Sequence, residues 1–386
     1  MKSKRLLALD VMRGITIAGM ILVNNPGSWG HIYAPLEHAE WNGLTPTDLV
    51  FPFFMFIMGV STYFSLKKYD FRCTSASLWK VIRRAVLIYL IGIALAWFGM
   101  TVRGLFNEKT LAEAALNFDR IRLLGVLPRL GICYGIGAIC ALLIKGRALI
   151  LTVCAILVIY SVLLICGNGY DFSDSNIISI VDHKVLGENH IYRSTIGDVS
   201  LKFDPEGLLS TLPSVAHMLI GFICGGIIVR IKDNRDRINL LFIIGTCLTF
   251  CGFLLSYGLP INKKIWSPTF VLTTCGMASS LLALLIWIID MKGYKRWSRF
   301  FEVFGVNPLF LFCLSGVMAI LMGAIKVPYA ASESGVTSLQ GWIYRVLLVP
   351  TFGDETFASL IFAILFVMLN WFIGLPLYKK KIYIKL

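Results

Sequence analysis

Charge is what this 386-residue chain has least of: Asp, Glu, Lys and Arg make up 15% of it, against a hydrophobic share of 57%. Soluble domains carry about 25% charged and 45–50% apolar residues. A water-soluble enzyme is therefore excluded, and a polytopic membrane protein is indicated. Acid is scarcer than base, with 22 Asp+Glu against 36 Lys+Arg and a formal charge of +14. In a soluble chain that excess would suggest nucleic acid; in a membrane chain it reports Lys and Arg held in inner loops, and no nucleic-acid partner is expected. The ten cysteines lack C-x-x-C pairs and metal-like spacing, and Cys247 and Cys251 form a helical i, i+4 pair inside an apolar run. Neither a disulfide framework nor a metal site is implied. No internal repeat marks an inverted-repeat transporter. The opening MKSKRLLALDVMRG is basic but lacks a small-residue cleavage site and carries Asp10 and Arg13, so it reads as a retained first helix.

What is present is a series of apolar runs of about 18–25 residues, each able to cross a hydrocarbon core of ~30 Å. They fall at Leu6–Asn24, Asp48–Leu66, Val81–Gly99, Leu123–Ile144, Ala148–Cys166, Leu208–Val229, Leu240–Tyr257, Thr269–Ile289, Phe301–Ile325 and Phe357–Leu377. The expectation is an all-α protein of about ten transmembrane helices in a single domain over residues 1–386. The run from Gln340 to Pro350 is too short to cross and is expected to lie at the interface or re-enter. With the N-terminus inside, Lys2, Lys4, Arg5, Lys67, Lys68, Arg72, Lys80, Arg83, Arg84, Lys145, Arg147, the clusters Arg230–Arg237 and Lys292–Arg299, and Lys379, Lys380, Lys381 and Lys385 all fall on inner segments. That places about 23 basic against about 5 acidic residues inside, and about 11 against about 16 outside, with both termini cytoplasmic. Two outer loops are long, Asn25–Thr47 and Gly167–Gly207. The first has no Lys or Arg, and all five histidines lie on or near the outer side. Loops of this length tend to be lids or binding loops.

Three places could carry chemistry. Asp10 and Arg13 stand i, i+3 on the first helix at a depth where ionisable groups form a neutralising pair or a site. Arg129, following Pro128 in the fourth run, is either a ligand for the phosphates of a cofactor entering from the cytosol or a tether between helices. The segment HAEWNGLTPTDLVFPFFMFIMG brings His38, Trp41, Asn42, Thr45 and Asp48 to the mouth of the second run, with Thr45 placed to cap the helix. An imidazole needs a carboxylate or amide to fix its tautomer, and Asp48, Asn24 and Asn42 compete for that role. Trp29, Tyr33 and Trp41, with Tyr170 and Tyr192 in the other loop beside His190, could stack on sugar faces or form an interfacial aromatic belt.

The blocks LLALDVMRGITIAGMILVNNPG, HAEWNGLTPTDLVFPFFMFIMG, RIRLLGVLPRLGICY, VDHKVLGENHIY, FDPEGLLSTLPS and LPINKKIWSPTFVL occur in order along the chain. Together they resemble the heparan-α-glucosaminide N-acetyltransferase family, as a bacterial-type core of the wider transmembrane acyltransferase superfamily. The resemblance implies acetyl transfer from cytosolic acetyl-CoA, as cosubstrate and without a metal, to the amine of a glucosamine-type sugar or glycosaminoglycan fragment on the outer side. It implies His38 as the active-site histidine, with Asp48 and Asn24, or its neighbour Asn25, beside it. Arg122 and Arg129 match family arginines, and with Arg13 they are the expected cofactor-binding set. Asn42 completes the catalytic group, and Trp29, Tyr33, Trp41, His190 and Tyr192 the sugar-binding one. Leu124 and Pro128 depart from the family pattern, and Leu314-Ser315 stands where the family continues to Gly-His, so that second histidine has no counterpart here.

His38 would act as base with Asp48 orienting it and an asparagine among the oxyanion donors, or carry the acetyl group itself; the sequence leaves both routes open. An acyltransferase acting on another amine or hydroxyl of a cell-envelope glycan is the nearest alternative, and a sugar or ion transporter the more distant one. Membrane lipids are the expected surroundings, in a bacterial inner membrane, and a homodimer stays open.

Overall fold

The computed structural model describes residues 6–107 and 109–384; Lys2, Lys4, Arg5 and Lys385 of the inner basic set lie outside them. The chain is mostly helical. Helix α1 spans Leu7–Val23. A 3-10 turn at Pro46–Leu49 leads into α2, Val50–Leu66, and α3 runs Ser75–Leu105. Then come α4, Val126–Leu143, and α5, Arg147–Cys166. The long second loop is not bare: it folds as the short helix α6, Ile177–Leu186, and a hairpin of β1, Arg193–Ile196, with β2, Val199–Lys202. Helices α7, Thr211–Arg230, and α8, Asn234–Leu255, follow. Helix α9, Pro268–Leu285, continues as a π-turn through Met291. The remainder is α10, Arg299–Val306, α11, Pro308–Ala324, a hairpin of β3, Lys326–Pro328, with β4, Val336–Ser338, and α12, Glu355–Lys379. The two small hairpins correct the all-α expectation.

Among the described residues eight helices are long and apolar enough to cross a membrane, or nine if the bent pair α10 and α11 forms one span. This is a multi-pass membrane protein. All ten apolar runs are helical, but Phe301–Ile325 is not the straight span expected, because α10 and α11 meet at 86°. Pro308 has no N–H to give to the preceding turn, and Asn307 leaves helical geometry. Its side chain holds the end of the chain instead, Nδ2 donating to the Ile382 carbonyl and Oδ1 accepting from the Ile384 amide. The Gln340–Pro350 run lies in a helical stretch of three short pieces, with Gln340 Nε2 donating to the Pro26 carbonyl.

Burial sorts the helices into a core and a rim. Helices α2, α4, α7 and α9 are mostly buried, whereas α3, α5, α8 and α12 present Leu151, Val158, Phe250, Ile364 and similar side chains outward, the surface a lipid solvent requires. One close crossing is between α2 and α7. A Cβ on Gly59 would stand 2.0 Å from the Met218 carbonyl oxygen, and one on Gly221 2.2 Å from that of Phe56. Only glycine lets the two backbones touch, which is how membrane helices gain packing when burial from water no longer drives it.

Candidate active site

The turn that starts α2 builds the centre of the site. Thr45 and Asp48 form a capping box, and Pro46 sits where a missing N–H costs nothing. Asp48 does more than cap. Its Oδ2 accepts from the amides of Ala39 and Thr45 and from the Thr45 hydroxyl, which leaves Oδ1 turned to His38 Nδ1 at 2.7 Å. The carboxylate is 1% exposed and the imidazole 42%. A 2.7 Å contact between a ring nitrogen and a carboxylate oxygen needs a proton between them. Nδ1 therefore donates, and Nε2 is the nitrogen left for other partners.

A second loop closes on this pair. Asn42 Oδ1 accepts from Asn262 Nδ2 at 3.1 Å, and the Gly43 amide donates to the Ile261 carbonyl. Asn262 Oδ1 in turn takes the Ile265 amide, while Tyr160 Oη donates to the Ile265 carbonyl. The tight turn throws Trp266 into the left-handed region, φ +52°, a strained conformation for so bulky a residue. The same turn delivers Lys263, whose Nζ lies 3.3 Å from Asp48 Oδ1 and 3.0 Å from His38 Nδ1. Burial draws the Lys263 ammonium below its usual range, with the carboxylates of Asp48 and Glu206 opposing.

Beneath the loop, Arg129 is fully buried one turn into α4. Its Nη2 donates to the Gly207 carbonyl and the Ser210 hydroxyl at the start of α7, and its guanidinium lies over the Trp266 ring. Among the described residues Nε and Nη1 of Arg129 and Nε1 of Trp266 have no partner. Buried donors of this kind usually face a water or a ligand group.

The remaining residues singled out in the sequence are spread more widely. Arg122 does not offer a free fork to a phosphate: Nε and Nη2 hold both oxygens of Asp204, Nη2 also reaches Glu206, and Tyr192 stacks on it at 4.8 Å. It ties the β1–β2 region to the start of α4. His190 Nδ1 contacts the Ile121 carbonyl beside it. Trp41 is occupied as well, its Nε1 donating to the Tyr170 carbonyl and its ring packed on Phe172 and Phe203. Trp29 and Tyr33 are exposed, and Asn24 is an exposed residue closing α1; no hydrogen bond between it and His38 or Asp48 is found among the described residues. Arg13 stands at the other end of the bundle, bonded to Asp10, Ser61 Oγ and the Gly305 carbonyl. Ser61 lies thirteen residues along from Asp48, about 20 Å at 1.5 Å per residue. Arg13 and Arg129 therefore cannot grip one phosphate, and Arg129, at the His38 end, is not at an entrance from the opposite side. Among the described residues no group of three His, Cys, Asp or Glu is placed to hold a metal.

Sequence reasoning missed Lys263 and Asn262. The pair Lys263-Lys264, before the Ser-Pro start of α9 on a side otherwise poor in base, was the available signal.

Fold and site define a multi-pass membrane protein with an ordered His–Asp pair in the loops at one end of its bundle. Residues 5–204 match the model of a family described as a domain of unknown function, DUF5009, and the chain belongs to that family. It is also similar to the heparan-alpha-glucosaminide N-acetyltransferases of Mus musculus and Homo sapiens, 28% identical over 362 and 363 residues, with 80% of this chain covered in each case. The alignments take in 53% and 52% of those proteins, so the chain spans about half the length of the curated relatives it matches.

Proposed function

We propose that the chain is a transmembrane N-acetyltransferase that moves the acetyl group of cytosolic acetyl-CoA to the amine of a glucosamine-type sugar on the outer face of a bacterial cell membrane. The observation that carries this reading is the His38–Asp48 contact, which fixes the tautomer with Nε2 free to take a proton from an attacking amine. The similarity to the two named N-acetyltransferases supports it. So does the excess of Lys and Arg in the loops read as inner, which favours an orientation with His38 outside. Acetyl-CoA supplies the activated acyl group. The unpartnered nitrogens of Arg129 suit polar groups of the donor near the reacting carbonyl, while Arg13 is engaged by Asp10 and Ser61 and is left out of the donor site. Arg122, neutralised by two carboxylates, is left out of the donor site.

The test is turnover by detergent-solubilised protein, with acetyl-CoA and a panel of amino sugars and their 2-hydroxy analogues, following free CoA and acetylated product. N-acetylated glucosamine, with no product from the hydroxyl analogue, is expected. Product only from the hydroxyl analogue would move the assignment to O-transfer, and no CoA release with any acceptor would sink it.

A further inference from the structure

Lys263 Nζ lies 3.0 Å from His38 Nδ1 and 3.5 Å from Nε2. A lysine donating along the in-plane lone pair of Nδ1 would stand far from the other ring nitrogen. Near-equal approach to both puts the ammonium over the ring. The Nδ1 lone-pair direction is also taken, since that nitrogen reaches Asp48 Oδ1 at 2.7 Å. Lys263 therefore meets the imidazole through its face and pairs as an ion with Asp48 Oδ1, at 3.3 Å. It shares that oxygen with His38 and holds its charge above the ring.

We propose that Lys263 is a positioning residue that locks His38 with Nδ1 protonated and Nε2 open, and that its ammonium opposes a second proton on the ring. The role rests on the reading of His38 as the base of an acyl transfer, and it deepens that reading. A base that already holds two protons can take none from an amine. A cation against the ring face pushes the captured proton onward once the amine has given it up. The other charged groups facing the pair are Lys264 beside Lys263, Glu40 in the His38 loop, and Glu206 from the loop before α7. Lys264 reinforces Lys263, and the two glutamates hold both ammoniums in place.

The pH dependence of diethyl pyrocarbonate modification at His38, read by mass spectrometry, reports the unprotonated ring without any turnover. In Lys263→Gln and Lys263→Met the midpoint is expected to move up by about one pH unit, and in Lys263→Arg to stay with the wild type. The acid limb of acetyl transfer should move in step. Equal midpoints in all four proteins overturn the proposal. Should neither neutral variant insert, cyanate carbamylation of Lys263 on the folded wild type removes the ammonium instead, and a His38 midpoint unmoved by it, read from the shifts of 15N-histidine-labelled protein, overturns the proposal. Neither chemical modification nor NMR needs acetyl transfer. A chain that acetylates nothing would sink the proposed function while leaving this test to be read on its own.

Discussion

At the scale of residues, the His38–Asp48 pair is the most exposed to test. His38→Ala is expected to leave the protein inserted, since the side chain is partly exposed on a loop, and to lower acetyl transfer ~10²-fold or more. Asp48→Asn should lose less rate, but some stability with it, because the same carboxylate caps the helix start. The double variant should be little slower than His38→Ala, since groups acting as one unit are not additive. Kinetics set beside thermal unfolding separate the two roles of Asp48. Arg129→Ala is expected to raise the KM for acetyl-CoA by roughly 10-fold or more, the loss of a charge-assisted contact, and that for the sugar less. A selective loss of sugar binding instead would leave Arg129 as a tether between α4 and α7. In the sequence Asp48 was one of three candidate partners of His38, with Asn24 and Asn42, and the spacing alone did not choose among them; the fold of the capping turn does. Lys263 was not legible, because it arrives from 225 residues away, and no local pattern marks a lysine that a turn will carry onto a ring. For Arg122 the residue was visible, but the carboxylates that occupy it sit more than 80 residues on.

At the scale of elements, the loop before α7 carries a pH-sensitive joint. Asp182 on α6 accepts from the Leu208 and Leu209 amides through Oδ1, while among the described residues its buried Oδ2 has no partner. Burial, against those two amides, pushes its carboxyl up from its ordinary 3.8 to about 6. The folded state then holds this proton more tightly than the unfolded chain. Its stabilising contribution is full below about pH 4 and is lost as pH rises through about 6, on the order of 3 kcal/mol. Thermal unfolding of solubilised wild type should therefore decline across that window relative to Asp182→Asn; parallel curves would show the carboxyl to be ionised throughout. Helix positions were readable from run length alone, and all ten runs are helical. The break at Asn307 was written in Pro308, but the partner that Asn307 finds across 75 residues, the Ile382 carbonyl, was not. Trp41 was readable as an aromatic at a loop, but not its burial against Phe172 and Phe203, which the fold of the second loop decides.

At the scale of the whole molecule, the orientation can be checked directly. Single-cysteine reporters at His38 and Tyr192 should react with impermeant reagent from outside, and those at Arg72 and Lys380 only after the membrane is opened; labelling of position 38 from the inner side alone would reverse the chain. Which end gathers the polar groups was not legible in the sequence, because it depends on the loops at 38–48, 204–210 and 260–267 closing over one another. The glycine crossing of α2 and α7 bears on that closure. Gly59 lies eleven residues from Asp48, about 16 Å along the axis, and α7 begins beside the Gly207 and Ser210 groups that hold Arg129. The two helices therefore behave as the blades of a pair of shears riveted at mid-depth. A side chain placed in the rivet would act as a wedge: a Cβ set 2.0 Å from the opposing carbonyl must push that backbone back by about an ångström or more, and the displacement would widen the gap between His38 and Arg129, at residues it never touches.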